Sequence, residues 1–148
     1  NVLVPCSGGG LAAGIAVALA ARAPGARVFT VEPAGFDDHR RSLEAGQRVV
    51  NAPGGNSICD ALLASAPGEI TFAINRRLLA GGLAVSDDEV LDAMDFAART
   101  LKLVVEPGGA VALAALLAGH HKAQGRTVAA VLSGGNVDPV LYAACLDR

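Results

Sequence analysis

Val2-Leu3-Val4-Pro5-Cys6-Ser7-Gly8-Gly9-Gly10-Leu11-Ala12-Ala13-Gly14 passes from a short apolar run, through a serine and consecutive glycines, into an apolar stretch that continues to Arg22. The opening residues read as a buried strand, Leu11 to Arg22 as a helix, and Ser7 to Gly10 as the turn between them. The helix is apolar almost all round, so it should be covered on both sides. Consecutive glycines let several backbone N–H groups point the same way, and the helix start adds partial positive charge. Ser7, Gly8, Gly9, Gly10 and Leu11 therefore form a candidate cradle for an anion such as a phosphate ester. The competing reading is a tight strand-to-helix turn whose glycines serve packing alone.

The alternation continues along the chain. Arg27 to Glu32 reads as a second strand stopped by Pro33, and Asp37 to Ala45 as a polar helix ended by Gly46. Residues 47–66 are punctuated by glycine and proline and read as irregular. Glu69 to Leu79 suits an amphipathic helix and Leu83-Ala84-Val85 a strand, while Ser86 and Glu89 form a capping box that opens a helix to about Thr100. Leu103 to Val105 and Thr127 to Leu132 read as further strands, with an apolar helix through Leu117 between them; Asp138 caps a last short helix. The expected fold is α/β, a mostly parallel sheet with helices on both faces in three layers, and strands near 2–5, 27–31, 83–85, 103–105 and 127–132. Ligands in such sheets bind at the carboxyl ends of the strands. Ser7–Gly10, Glu106–Gly109 and Ser133–Asn136 all begin there, and Glu32 ends a fourth strand.

Composition bounds what such a fold could serve. The chain has 148 residues, a one-domain length, with 52% hydrophobic and 18% charged residues, so a sizeable core is expected. Aromatics are 3% with no Trp, which suits stacking on nucleic-acid bases badly, and a net charge of −2 shows no basic patch. No nucleic-acid partner and no membrane are therefore expected. The longest apolar stretches, broken by Arg22, Glu106 or Gly119, are too short to span a bilayer, and residues 10–21 lack the basic flank of a signal peptide. Cys6, Cys59 and Cys145 are an odd set without C-x-x-C spacing, which reads as reduced thiols and a cytoplasmic location. Asn1 leads straight into the first strand without an initiator methionine. The expectation is a piece of a longer protein.

Several segments could carry chemistry. Gly8 to Ala13 satisfies the dinucleotide pattern G-x-G-x-x-G/A, and Glu32 ends the next strand where a ribose-binding acid would stand, so an NAD-binding domain is one reading. Glu32, Asp37 and Asp38 place three carboxylates within one loop, a set of hard oxygens suited to Mg²⁺ or Ca²⁺; Asp37-Asp38 also reads as the acidic first turn of a helix. Glu106 stands between an apolar strand and an apolar helix, so it should face a site or find a partner, or else simply precede Pro107 at a helix start. Ser133 precedes two glycines at a strand end, where its hydroxyl could meet a ligand, or the segment could be a plain turn. His39, His120 and His121 show no metal-ligand spacing, and no nucleophilic triad emerges.

Taken jointly, four motifs occur in order: Val4 to Gly14, Val31-Glu32-Pro33, Val105-Glu106-Pro107-Gly108-Gly109-Ala110 and Leu132-Ser133-Gly134-Gly135-Asn136. Ser57-Ile58-Cys59-Asp60 and Val85-Ser86-Asp87-Asp88-Glu89 accompany them. The series resembles the threonine dehydratase and serine racemase family of fold-type II enzymes, which use pyridoxal 5′-phosphate. The resemblance spans nearly the whole chain but only the C-terminal part of the family's catalytic region. The family's cofactor-bearing lysine lies upstream in a Ser-x-Lys-x-Arg-Gly segment, and neither Lys102 nor Lys122 has that surrounding.

The resemblance implies that residues 1–148 are the C-terminal part of the larger, cofactor-binding domain of such an enzyme. Ser7, Gly8, Gly9, Gly10 and Leu11 would hold the cofactor phosphate through backbone N–H groups, with Ser7 where family loops often carry glycine. Ser133 would meet the pyridine nitrogen, and Glu106 would stand near the ring. Glu32, the Phe36 carbonyl and Asp38 match positions where some members bind a divalent cation. Ala61 stands where many members have glycine. The implied activity is an ammonia-lyase that dehydrates L-threonine or L-serine to a 2-oxo acid and ammonia, in a homo-oligomer with the remainder of the same enzyme. Racemisation of serine or a hydroxyaspartate is the alternative, because both reactions begin by removing the α-proton. A non-enzymatic ligand-sensing domain is the third reading, and it rests only on the missing lysine. This chain alone is expected to be inactive.

Overall fold

The computed structural model describes residues 1–148. Four parallel strands, β1 (Val2–Pro5), β2 (Val28–Pro33), β3 (Gly81–Val85) and β4 (Ala129–Ala130), form one sheet in the order β3-β2-β1-β4. The connecting helices are α1 (Gly10–Arg22), α2 (Asp38–Ala45), α3 (Glu69–Leu78), α4 (Asp87–Phe96), α5 (Pro107–Leu117) and α6 (Pro139–Leu146). The register sets Val2 against Val28 and Val4 against Thr30, so alternate residues of the two central strands share a face.

That alternation divides the core. Leu3 and Val31 turn to one face, where they pack with Val85, Val90, Met94 and the wholly buried stretch of α5. Val4 and Val28 turn to the other, against Ala12 and Ala16 of α1. The helices therefore lie on both faces, and the α/β three-layer expectation holds. No helix is long and apolar enough to cross a membrane. Cys6, Cys59 and Cys145 are buried free thiols, and burial pushes each of them up, away from the reactive thiolate.

Local chemistry marks the ends of the helices. Ser86 Oγ accepts the Glu89 N–H at 3.3 Å while Glu89 Oε2 accepts the Ser86 N–H at 2.7 Å, which is the expected capping box. Asp138 Oδ1 caps α6 by accepting from Val140 N and Leu141 N, and Gly46 ends α2 at φ 70°. Asp87, in the first turn of α4, accepts from Ser57 Oγ at 2.6 Å and Ile58 N at 3.1 Å, so the two lesser motifs clip to each other.

Residues 103–105 do not form the expected strand. The helical path continues past Phe96 in a wide turn over Ala97–Leu101, and Lys102 then takes a left-handed conformation at φ 60°. Leu103 N–H donates back to Ala97 O, and Leu103 and Val104 remain exposed. The segment touches the Ser133–Asn136 turn through one backbone bond, from Glu106 N to Gly134 O at 3.1 Å, which is too little for a ladder. The expected strand over 127–132 contracts to Ala129–Ala130, because this edge pairs with β1 on one side alone. β3 starts earlier than expected, with Gly81 and Gly82 inside it: a Cβ on Gly82 would lie 2.8 Å from Arg40 Cβ and from Thr30 Oγ1.

Candidate cofactor site

At the carboxyl end of β1 the chain turns through Ser7 to Gly9 into α1. Gly9 sits at φ 90°, and a Cβ there would lie 2.5 Å from His39 Cε1 and 2.8 Å from Asn75 Nδ2. Both conformation and crowding require glycine at this position. Gly8 and Gly10 differ, because a Cβ on either would meet nothing within 4 Å. Nothing inside this chain requires their lack of a side chain, and the space in front of them is open.

The loop's carbonyls are held from behind by α3. Gly68 N donates to Gly8 O at 3.1 Å, Thr71 Oγ1 also donates to Gly8 O, and Asn75 Nδ2 donates to Gly9 O at 3.2 Å. In a trans peptide the C=O and the following N–H point in opposite directions. Drawing back the Gly8 and Gly9 carbonyls therefore aims the Gly9 and Gly10 N–H groups forward. The first amides of α1 lie beside them, free of intrahelical acceptors. Gly68, Thr71 and Asn75 carry no sequence motif; their signal is the i, i+3, i+7 spacing that puts them on one face of α3.

The loop faces a cavity of about 170 Å³ lined by Pro5–Leu11, Leu62 and Ser133. The structure thus brings Ser133 to the same cavity as the Ser7–Leu11 turn. A larger cavity of about 550 Å³ lies between α1 and α3, lined by Val17, Ile70 and Leu78 among others, with Arg77 as its one polar residue. It lacks converging donors. Ser7 Oγ accepts from Ala64 N at 3.3 Å, which ties the cradle to the irregular segment before α3.

Glu106 is half-buried and does not line the cradle cavity. Its Oε2 accepts the Asn136 N–H at 3.1 Å, and its Oε1 lies where a Cβ on Gly134 would stand. A Cβ on Gly109 would lie 2.6 Å from Gly134 O. The glycines of these two motifs let the start of α5 and the Ser133 turn press together, with Glu106 bracing the turn from behind.

Glu32 is fully buried at the end of β2. Its Oε1 accepts from His39 N at 2.9 Å and its Oε2 from Arg40 N at 2.8 Å, so it caps α2 in place of Asp37. A ribose hydroxyl cannot reach it, which removes the acid that the dinucleotide reading needs. Asp37 instead binds Arg40 and Arg41; burial pushes its carboxyl up, but the two guanidiniums outweigh that and hold it low. Asp38 Oδ1 accepts from Asn51 Nδ2 at 2.6 Å, and its buried Oδ2 has no partner. Burial raises both Asp38 and Glu32, the latter to about 8, and their proximity to each other adds to it at Glu32. Two buried carboxylates with an orphaned oxygen are a donor set that fits a hard divalent cation. Cys6 and His39 also stand within 4.8 Å of Glu32, but the thiol is held protonated by burial and His39 Nε2 is engaged by Asn75.

Comparison with known proteins gives a consistent neighbourhood. The profile of a family described as pyridoxal-phosphate dependent enzyme matches residues 1–134. A serine racemase from Oryza sativa subsp. indica is 38% identical over 143 residues, which cover 93% of this chain and 42% of that protein. The L-threo-3-hydroxyaspartate ammonia-lyase of Saccharomyces cerevisiae is 38% identical over 146 residues, covering 98% of this chain and 44% of that one. The solved structure of a threonine deaminase from T.th. superposes with a TM-score of 0.86 at 41% identity, covering 93% of this chain and 46% of its own. The chain spans less than half the length of these relatives.

Proposed function

The chain belongs to the family of pyridoxal-phosphate dependent enzymes, and from that membership we propose that it is part of an ammonia-lyase acting on L-threonine or L-serine. The products would be a 2-oxo acid and ammonia. Within that enzyme, residues 1–148 form the C-terminal part of the cofactor-binding domain. The carrying observation is the open cradle at Gly8 and Gly10, whose missing side chains nothing in this chain explains and a phosphate would fill.

The residues present fit the cofactor. Ser7, Gly8, Gly9, Gly10 and Leu11 hold its phosphate through main-chain N–H groups, where the start of α1 adds favourable charge. When bound, pyridoxal phosphate supplies an electron sink for carbanion chemistry. Ser133 offers a hydroxyl, which can donate a hydrogen bond to an unprotonated ring nitrogen without adding charge. Glu106 acts through the turn that it braces, keeping Ser133 at the mouth of the cradle.

Glu32, the Phe36 carbonyl and Asp38 form a site for Mg²⁺ or Ca²⁺, supported by the orphaned Asp38 oxygen and the raised carboxyls. The enzyme is a cytoplasmic homo-oligomer whose substrate is a small hydroxy amino acid. Racemisation of serine or a hydroxyaspartate is the second reading, favoured by the serine racemases among the relatives. The test is to incubate the full-length holoenzyme with L-threonine, L-serine and 3-hydroxyaspartate, then assay 2-oxo acids and resolve the enantiomers. Oxo-acid formation as the main product supports the lyase. D-serine or inverted hydroxyaspartate as the main product selects the racemase, and no conversion of any of them overturns both.

A further inference from the structure

We propose that Asn75, backed by His39, is a positioning residue for the phosphate cradle, holding the Gly9 carbonyl behind the loop so that the Gly10 N–H faces the cavity. This rests on reading that loop as the cofactor-phosphate site. Asn75 and His39 are both fully buried. Asn75 Nδ2 lies 3.2 Å from Gly9 O and 2.9 Å from His39 Nε2. A carbonyl can only accept, so the amide nitrogen must be the atom facing Gly9. Its second hydrogen then points at His39 Nε2, which must accept, and the imidazole proton sits on Nδ1. Flipping the amide would set its oxygen against the Gly9 oxygen, so the pair has one self-consistent arrangement.

The arrangement is costly. Asn75 Oδ1 is left buried without a partner. An unpaired buried polar atom destabilises a fold, and apolar side chains of similar size would fill this space without that cost. What the polar pair adds is a directed pull on one peptide. Both side chains also press on Gly9 itself, since a Cβ there would strike His39 Cε1 and Asn75 Nδ2. His39 is fixed in turn, because its backbone N–H is held by Glu32 at the end of β2. Thr71 acts on the preceding carbonyl, Gly8 O, whereas Gly9 O accepts the Ala13 N–H of α1 at 2.9 Å and Asn75 Nδ2 at 3.2 Å, so Asn75 is the one side chain that orients the peptide leading into α1.

The test uses the full-length protein freed of cofactor and titrated with pyridoxine 5′-phosphate, which has the phosphate and ring but no aldehyde. Unphosphorylated pyridoxine is the control, and phosphorus NMR reports on the bound phosphate. Asn75→Leu keeps the volume and loses the donor, whereas Asn75→Asp keeps the shape and replaces donor by acceptor. Each should weaken binding of the phosphorylated ligand by roughly five- to ten-fold, the scale of one hydrogen bond, and shift the phosphorus resonance, with pyridoxine binding unchanged. His39→Gln, which can keep an accepting oxygen, should retain more affinity than His39→Leu. If the buried charge of Asn75→Asp prevents folding, Asn75→Leu still decides. Normal affinity and an unmoved resonance in Asn75→Leu would overturn the positioning role and leave the cradle reading intact. Equal losses for the phosphorylated and unphosphorylated ligands would overturn it as a general structural effect. A wild-type protein that binds no pyridoxine 5′-phosphate would overturn the cradle reading and this proposal with it.

Discussion

Burial raises the Glu32 carboxyl from its ordinary 4.5 to about 8, and burial lowers the adjacent His39 imidazole from 6.5 to about 4. The two act on stability with opposite signs. Between 4.5 and 8 folded Glu32 keeps a proton that the unfolded chain has released, so its contribution falls as pH rises. Between 4 and 6.5 unfolded His39 holds a proton that the folded chain refuses, so its contribution rises with pH. The two cancel from 4.5 to 6.5, and from 6.5 to 8 Glu32 alone remains. The cation-free protein should lose about 1.4 kcal/mol per pH unit over that upper window. Asp38, also raised by burial, adds a fall from its ordinary 3.8 upward, so the clean comparison is with Glu32→Gln. Urea unfolding from pH 5 to 8 should show a shallower loss in Glu32→Gln above 6.5, and an earlier loss in His39→Gln. Mg²⁺ or Ca²⁺ should relieve the loss in the wild type and not in Asp38→Asn, since a bound cation competes with the proton. Identical curves for the wild type and Glu32→Gln would refute the assignment.

Among the connecting elements, the glycines sort into two kinds that a sequence does not distinguish. Gly134 is glycine because the Glu106 carboxylate occupies its Cβ position, and Gly109 because the Ser133 turn does. Gly8 has open space in front of it and a φ outside the left-handed region. Gly109→Ala, whose Cβ would strike the Gly134 backbone, should therefore destabilise the fold, by about 1–3 kcal/mol as overpacking does. Gly8→Ala should leave the melting temperature unchanged and weaken cofactor binding. A Gly8→Ala variant that binds the cofactor normally would argue that the phosphate lies elsewhere. The strand-turn-helix at residues 2–22 is legible in the sequence because its signals are contiguous. Capping residues such as Ser86 and Asp138 are legible for the same reason. Thr71 and Asn75 are not, since their role depends on how α3 docks behind a loop far away in the chain. Glu32 reads equally well as a ribose ligand, a cation ligand or a helix cap, and only the position of α2 separates these. Leu103-Val104-Val105 has strand composition, yet the left-handed turn at Lys102 and the return bond from Leu103 to Ala97 deny it a ladder.

At the scale of the whole molecule, the cradle and the lysines stand apart. Lys102 donates its Nζ to Arg99 O at 2.7 Å, at the turn that follows α4. Lys122 is exposed beyond the end of α5, beside His121. Neither lines the cavity that Ser7–Leu11 and Ser133 share. A phosphate held by main-chain amides alone, without a covalent bond to the protein, is a weak anchor, and the activation that a covalent lysine gives is missing as well. These 148 residues by themselves should therefore show no conversion of L-threonine or L-serine, even with saturating pyridoxal phosphate. Supplying the segment that carries the Ser-x-Lys-x-Arg-Gly lysine on a second chain should restore turnover, provided the two pieces associate. A Lys→Ala change in that second chain should abolish the turnover again, while Lys102→Ala and Lys122→Ala in this one leave it intact. Turnover by the isolated chain, lost on mutating Lys102 or Lys122, would instead place the reactive amine within these residues and require the cradle to be rebuilt around it.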